Sequence, residues 1–246
     1  MSVDMSGDMT GATTGAIPQS TPYVTHADLG GQAGHGAVLP EPEGELFHAD
    51  WEPRVLALTL AMGATGSWNI DASRSARETL PDYAQLDYYR IWLAALEKLM
   101  SQRGQLFGDE MAAGRMLHDP ASVLRTLQAA NVATALAKGT PTEREATTPA
   151  RFKVGQWVRT RAETVDHHTR LPGYVRGKRG RIERVLGVHV FADNHAQGLG
   201  EAPQWLYTVV FEAAELWGDQ RQQPAQASGG ADVSVDAWES YLHEIA

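Results

Sequence analysis

The sequence predicts an α+β protein, with a helical N-terminal half followed by a small β-barrel. Three observations predict it. Between residues 50 and 139, apolar side chains recur at helical spacing behind good capping residues. Beyond residue 157 the pattern switches to short runs rich in β-branched and aromatic residues, punctuated by Gly and Pro. Between the two lies GTPTEREATTPA, residues 139–150, whose Pro, Thr and charge content marks a linker.

The elements follow in order. Residues 1–46 are rich in Gly, Thr, Ser and Pro and poor in large apolar groups. Such a segment cannot bury enough surface to offset its ordering entropy. Residues 1–20 read as a disordered tail, and HADLGGQAGHGAV (26–38) as an extended arm able to order against a partner. The first helix opens at Asp50 as N-cap, places Val55, Leu58 and Met62 at helical spacing, and stops at Gly63. A short second helix runs from a cap at Asp71 to about Thr79, before Pro81. In the third, capped by Asp87 and stopped by Gly104, Tyr88, Trp92, Leu96 and Leu99 form one stripe. A fourth opens at Asp119-Pro120, with Pro at the favoured first position, and runs through Leu124, Leu127 and Leu136 to Gly139. Strands are expected at 157–162, 173–176, 180–185, 187–192 and 205–211, with a last one over Val233 to Trp238. The division is therefore an arm (1–46), a helical domain (47–138), a linker (139–150) and a barrel domain (151–246).

Composition narrows the function. The 246 residues are 43% hydrophobic, enough for a buried core. Thirty acidic against 21 basic side chains give a net charge of −9, which disfavours general binding to nucleic acid. There is no cysteine, so the chain offers no disulfide, thiolate nucleophile or thiolate metal ligand. No run reaches the roughly 18 apolar residues of a membrane span. Met1 to Ser20 lacks the basic and apolar regions of a secretory signal. A cytoplasmic protein is expected.

Four groups of residues invite a chemical reading, and each has a plainer one. Arg74 and Glu78 are four apart on the second helix, the spacing of an ordinary solvated ion pair. Tyr88 and Trp92 share a helix face, either as core or as an aromatic wall with a phenolic tip. TRLPGYVRGKRGRIERV carries Arg170, Arg176, Lys178, Arg179, Arg181 and Arg184 against the single acid Glu183. It reads as a solvated turn, an RNA-binding hairpin, or a source of one guanidinium whose planar fork faces a partner's anionic group. His167, His168, His189 and His195, with Asp166 and Asp193, have no recognised metal-ligand spacing. No nucleophile elbow or phosphate-cradling glycine loop stands where strand and helix would support it.

Several blocks, in order, carry a resemblance. HADLGGQAGHGAV resembles an HDLGG…GFG arm, with one residue inserted after His26, and FHADWE (47–52) resembles FHAEWE. SRSARETLPDY with LDYYRIW, FKVGQWVRTR with HTRLPGYVRGKRGRI, GLGEAPQWLYTVVFEAAELWG (198–218) and DAWESYL (236–242) complete the series. From His26 to the C-terminus the chain resembles the β subunit of nitrile hydratases.

The resemblance implies an extended arm, a helical domain and a C-terminal SH3-like β-barrel. It implies a partner α subunit, in an αβ pair and an α2β2 assembly. That subunit's Cys-rich loop holds low-spin Fe(III) or non-corrin Co(III) with two oxidised cysteines, and this chain binds no cofactor or metal itself. The reaction hydrates a nitrile to an amide. By the family pattern, Arg170 in R-L-P-G-Y is one of two arginines that contact the oxidised sulfurs. The other is Arg74, by its spacing to Glu78, with Arg77 as competitor because the stretch from Glu78 to Tyr83 is two residues short. Tyr88, first of the tyrosine pair, matches the pocket tyrosine, and Trp92 and Ile70 match substrate-pocket positions. Thiocyanate hydrolase shares the scaffold but splits the corresponding material over two chains, whereas here both halves are on one. Activators related to the N-terminal half lack a full barrel.

Overall fold

The computed structural model describes residues 24–218 and 231–245. The tail expected over residues 1–20 lies outside the described residues. Residues 24–46 contain no helix or strand and are mostly exposed, as an extended arm would be.

Three packed helices open the first half. Helix α1 (Glu52–Gly63) carries Pro53 in its first turn, where a missing N–H costs nothing. Its N-cap is Trp51, one residue beyond the expected Asp50. Helix α2 (Ile70–Glu78) is capped by Asn69, whose side chain accepts the Ala72 N–H at 2.8 Å. Asp71, expected as that cap, sits instead in the first turn, buried. Asn69 takes the position because its side chain reaches back to the orphan N–H from extended backbone. Helix α3 (Tyr88–Ser101) follows its Asp87 N-cap and presents Ala95, Leu96 and Leu99 inward. Ala76, Leu80, Ala95 and Leu99 form the core between α2 and α3, flanked by Trp68, Tyr83, Leu86, Ile91 and Ala94. Tyr88, at the head of the predicted stripe, is 63% exposed and is not part of that core.

The predicted fourth helix does not form at Asp119. Residues 117–128 are irregular and, Leu127 apart, exposed, with Leu124 at 87%. Helical propensity alone does not hold a short segment that buries no face. Two shorter helices flank the gap, α4 (Gly108–Ala113) and α5 (Val132–Lys138). The α4 helix is fixed by Glu110, whose carboxylate accepts the Phe107 N–H at 3.2 Å and the Leu117 N–H at 3.0 Å.

The second half is an antiparallel sheet. Its strands are β1 (Glu143–Arg144), β2 (Trp157–Thr160), β3 (Arg179–His189), β4 (Gln204–Phe211), β5 (Val233–Trp238) and β6 (Leu242–Glu244). The hydrogen-bonded order is β5-β4-β3-β2-β6, with β1 added to the far end of β3. The path is open among the described residues: β5 and β6 are its two edges. Two predicted strands, 180–185 and 187–192, merge into β3, and Gly187 sits at a register shift with φ +102°. Such bulges bend a strand strongly enough to cover a small core. Segment 173–176, expected as a strand, is the 3-10 turn Gly173–Val175. Pro172 and Gly177 (φ +70°) bracket it and make it a turn. The presumed linker contributes β1, which Arg144 ties down with a two-pronged pair to Glu201 at 2.7 and 2.5 Å.

The sheet core is Phe152, Val158, Leu171, Val175, Ile182, Phe191, Tyr207, Val209, Phe211, Leu216, Ala237, Tyr241 and Leu242. These come from alternate positions of the strands and from the loops that close over them. The connections carry two more helices, α6 (Ala192–Ala196) and α7 (Ala213–Trp217). Helix α2 packs on α6, joining the two halves. Gly180 is buried where β3 meets β4: a Cβ there would lie 2.6 Å from the Val209 side chain and 2.9 Å from Phe211 and from the Val210 carbonyl. Gly180→Ala is therefore expected to destabilise the protein by about 1–3 kcal/mol through overpacking. Urea denaturation checks this, and an unchanged midpoint contradicts the close packing.

Candidate functional site

Helix α2 carries Arg74 of the predicted site, and its carboxylates decide where Arg74 and the distant Arg170 go. Arg74 does not pair with Glu78, as its spacing suggested. It donates to Asp71 Oδ1 at 2.9 Å, within its own turn. The other oxygen of Asp71 lies 2.8 Å from His195 Nδ1 on α6. The Asn69 amide donates to the His195 carbonyl at 2.6 Å. Asp71 thus joins an arginine of one half to a histidine of the other while almost fully buried.

Glu78, in the last turn of α2, repeats the arrangement across a longer gap. Its Oε1 accepts from Arg170 Nη1 at 3.0 Å, and its Oε2 lies 3.2 Å from Nδ1 of the buried His168. Its backbone carbonyl accepts the His26 N–H of the arm at 2.7 Å. Two of the predicted residues, Arg74 and Arg170, are therefore brought to the same helix through different carboxylates. Each keeps 35–40% of its side chain exposed. A guanidinium has five N–H donors in a rigid fork, so donors remain for an anionic ligand.

Arg170 is also fixed through its backbone. Its N–H donates to the Tyr241 hydroxyl at 3.1 Å, and the Thr169 hydroxyl is at 3.1 Å from the same oxygen. The Tyr241 hydroxyl donates in turn to the buried Asp193 carboxylate, which also accepts from Arg161 at 3.2 Å. The Arg161 guanidinium lies over the Tyr241 ring, 4.5 Å from its centroid. Sequence reasoning missed this network. Thr169, Arg170, Tyr241 and Arg161 lie in three of the blocks that carried the family resemblance, HTRLPGY, DAWESYL and FKVGQWVRTR, and Asp193 lies in none, and no periodicity links them.

The aromatic residues form a second group. Tyr88 and Trp92 are 5.6 Å apart, Tyr88 and Tyr89 meet edge to face at 5.2 Å, and Phe47 reaches Tyr89 at 5.5 Å. Arg77 lies over the Trp92 ring at 4.8 Å. Burial, and then the positive charge of Arg74, press its pKa below the ordinary arginine value. Arg77 thus connects α2 to the aromatic pair. Ile70 is half-exposed at the first residue of α2, the opposite end from Glu78.

The arm and the Arg170 turn flank a half-open cleft of about 210 Å³, lined among others by Thr25, Asp28, Glu78, Arg170, Tyr174 and Arg176. Among the described residues, no group of three or more His, Asp or Glu is arranged to hold a metal ion. Nor is any helix among them long and apolar enough to cross a membrane. The donor set is cationic and suits a negatively charged group. The basic turn predicted as a possible nucleic-acid hairpin is instead tied down in part by acids, with Arg170 on Glu78 and Arg176 on Asp28.

The structure is thus a helical half joined to an antiparallel sheet, with two half-exposed arginines, Arg74 and Arg170, each held by a carboxylate of the same chain. Comparison with known proteins gives the family. Residues 24–145 match the family model "Nitrile hydratase beta subunit, N-terminal", and residues 141–244 match "Nitrile hydratase beta subunit, C-terminal". The low-molecular weight cobalt-containing nitrile hydratase subunit beta of Rhodococcus rhodochrous is 35% identical over 224 residues, covering 87% of this chain and 96% of that one. The cobalt-containing nitrile hydratase subunit beta of Pseudonocardia thermophila is 30% identical over 89% of this chain and 95% of its own length. The thiocyanate hydrolase subunit alpha of Thiobacillus thioparus is 34% identical over only 68 residues, 28% of this chain and 54% of that one. This chain belongs to the nitrile hydratase β-subunit family.

The Tyr241 network generates a prediction. Burial, with the adjacent Asp193 carboxylate, pushes the Tyr241 phenol well above its ordinary value of 10.0. A raised folded-state pKa contributes stability that is complete below pH 10. That contribution is lost as pH rises further, because the unfolded phenol ionises first. Tyr241→Phe is expected to flatten the decline in stability above pH 10. At neutral pH it should cost about 1–3 kcal/mol by leaving buried polar groups short of a partner. Denaturation midpoints at pH 8 and pH 10.5 check both; parallel declines in the two proteins contradict the assignment.

Proposed function

We propose that this chain is the non-metal-bearing β subunit of a cytoplasmic nitrile hydratase, and that it completes an active site whose metal ligands lie on an α subunit. The match to 96% of the Rhodococcus rhodochrous nitrile hydratase β subunit supports this over a thiocyanate hydrolase subunit, whose match is confined to 68 residues. The absence of cysteine supports a metal held elsewhere, as Co(III) or Fe(III) on the α subunit. An αβ pair, assembled as α2β2, is the expected state.

The observation that carries the reading is the Glu78 clamp, which holds Arg170 beside the helix bearing Arg74. In the proposed site these two guanidinium groups donate to the oxygens on the partner's oxidised cysteines. Oxyanions on sulfur at a poorly hydrated interface need charged, multidentate donors, and Arg remains protonated there. When bound, the metal supplies Lewis acidity toward nitrile and water. The phenol of Tyr88 supplies a hydrogen-bonding tip in the substrate pocket, and Trp92 and Ile70 supply its apolar wall. Arg74 is preferred to Arg77 because Arg77 is drawn onto the Trp92 ring while Arg74 stays half-exposed.

We read the sheet half as an SH3-like barrel domain. Its two edge strands, β5 and β6, are separated only by the 3-10 turn Glu239–Tyr241, so the sheet curls until its ends lie one turn apart. The helical and barrel domains divide over residues 139–150, where the two family models meet.

Co-expression with a metal-bearing α subunit tests the reading. The complex is expected to convert nitriles to amides, and the isolated chain to be inactive. Arg170→Lys is expected to lower turnover by about 10²-fold, the scale of removing one transition-state donor, with unchanged circular dichroism. Arg74→Lys is expected to behave likewise. Arg77→Lys, which weakens a cation–π contact, is expected to lower stability by less than about 1 kcal/mol and leave turnover near wild type. Undiminished turnover in Arg170→Lys removes Arg170 from the site.

A further inference from the structure

The arm does not simply await a partner. Residues 26–31 are docked on this chain, on both of the elements that hold Arg170. The His26 N–H donates to the backbone carbonyl of Glu78, the residue whose carboxylate pairs with Arg170. Two residues on, the Asp28 carboxylate accepts the Gly173 N–H through both oxygens, at 3.0 and 2.9 Å. Arg176 then bridges the turn, donating to the Leu171 carbonyl at 3.1 Å and to Asp28 at 3.4 Å. Leu171 is the residue next to Arg170, so this bridge fixes the chain directly after the arginine.

The following Gly30-Gly31 pair explains why the contact is close. A Cβ on Gly30 would lie 2.6 Å from the Tyr174 ring. A Cβ on Gly31, at φ +78°, would lie 2.6 Å from the Trp217 ring. Tyr174 and Trp217 stack on each other, with centroids 5.6 Å apart. Only a backbone without side chains comes this near to both rings, and only glycine adopts the second conformation without strain. Gly173 faces the same limit from the other side: a Cβ there would lie 2.8 Å from the Asp28 carboxylate.

We propose that the segment Asp28-Leu29-Gly30-Gly31 is an intramolecular latch, and that Asp28 and Arg176 are positioning residues for Arg170. The inference rests on the reading of Arg170 as a donor to the anionic group of the site. Asp28 touches no reacting atom. It sets the turn from which Arg170 extends, while His26 secures the helix end that receives the Arg170 side chain. A guanidinium aimed at a fixed pair of oxygens loses effect when displaced by an ångström, and such displacement costs about 10²-fold in well-oriented sites.

The test uses the full chain assembled with its metal-bearing subunit and reads two quantities. One is hydrogen exchange in the peptide covering residues 171–177. The other is kcat and KM for a nitrile. Asp28→Ala is expected to speed exchange in that peptide and to lower kcat by about tenfold with KM within about twofold of wild type. Asp28→Asn keeps an oxygen acceptor for Gly173 and is expected to retain slow exchange and most of kcat. Arg176→Gln removes the bridge by a second route and carries the same expectation as Asp28→Ala. Unchanged exchange in both Asp28→Ala and Arg176→Gln overturns the latch. Faster exchange at wild-type kcat overturns the positioning role. Arg170→Lys separates this from the underlying reading: it should lower kcat with exchange at the wild-type rate. Full activity of that variant overturns the assignment of Arg170 and the proposal with it, whatever the exchange data show.

Discussion

A single carboxylate, that of Glu78, holds the site together. One oxygen takes the Arg170 guanidinium and the other faces the buried His168, while the backbone of the same residue receives the arm. Arg170 lies 92 residues further along the chain, in the other half of the molecule. Without Glu78, a half-exposed arginine on a turn has many rotamers of similar energy. With it, one geometry is selected, and the entropy of a long side chain is lost before any ligand arrives.

The rest of the interface follows the same principle. Asp71 shares itself between Arg74 and His195, and Asp193 between Arg161 and the Tyr241 hydroxyl. Each carboxylate is largely or fully buried, and each has partners at both oxygens. Burial of an ion is costly, and the cost is offset only when charge and hydrogen-bonding capacity are matched. Such pairs add little net stability but fix geometry. Apolar burial supplies the stability: Tyr207, Phe211, Tyr241 and Val209 are fully buried in the sheet core.

Much of the fold was legible in the sequence, because its signals are local. Helix α3 follows Asp87 as expected, the strand at 205–211 matches β4 within one residue, and β5 matches residues 233–238. The failures were also physical. Asp119-Pro120 starts a helix only if a face can be buried, and Leu124 stays 87% exposed. Asn69 displaced Asp71 as cap because Asp71 was needed by Arg74 and His195. In the site, the identity of Arg170 came from a block of residues and not from spacing. Its pairing with Glu78 is invisible to any periodicity, since it joins elements that only the tertiary fold brings together. The spacing of Arg74 to Glu78 pointed to a pair that does not form, because an acid three residues before Arg74 competes successfully. Nor does any periodicity announce that residues 28–31 of the arm dock on Tyr174, Trp217 and Gly173 of the same chain.

The shared action of Glu78 and Arg170 is tested most directly by a double-mutant cycle on turnover in the assembled enzyme. Glu78→Gln, Arg170→Lys and the double variant are compared with wild type under one set of conditions. If the carboxylate acts by aiming the guanidinium, the double variant loses no more than the worse single variant, because the interaction is already gone. Losses that simply multiply would mean that the two residues act independently, and the clamp would not be what sets the site.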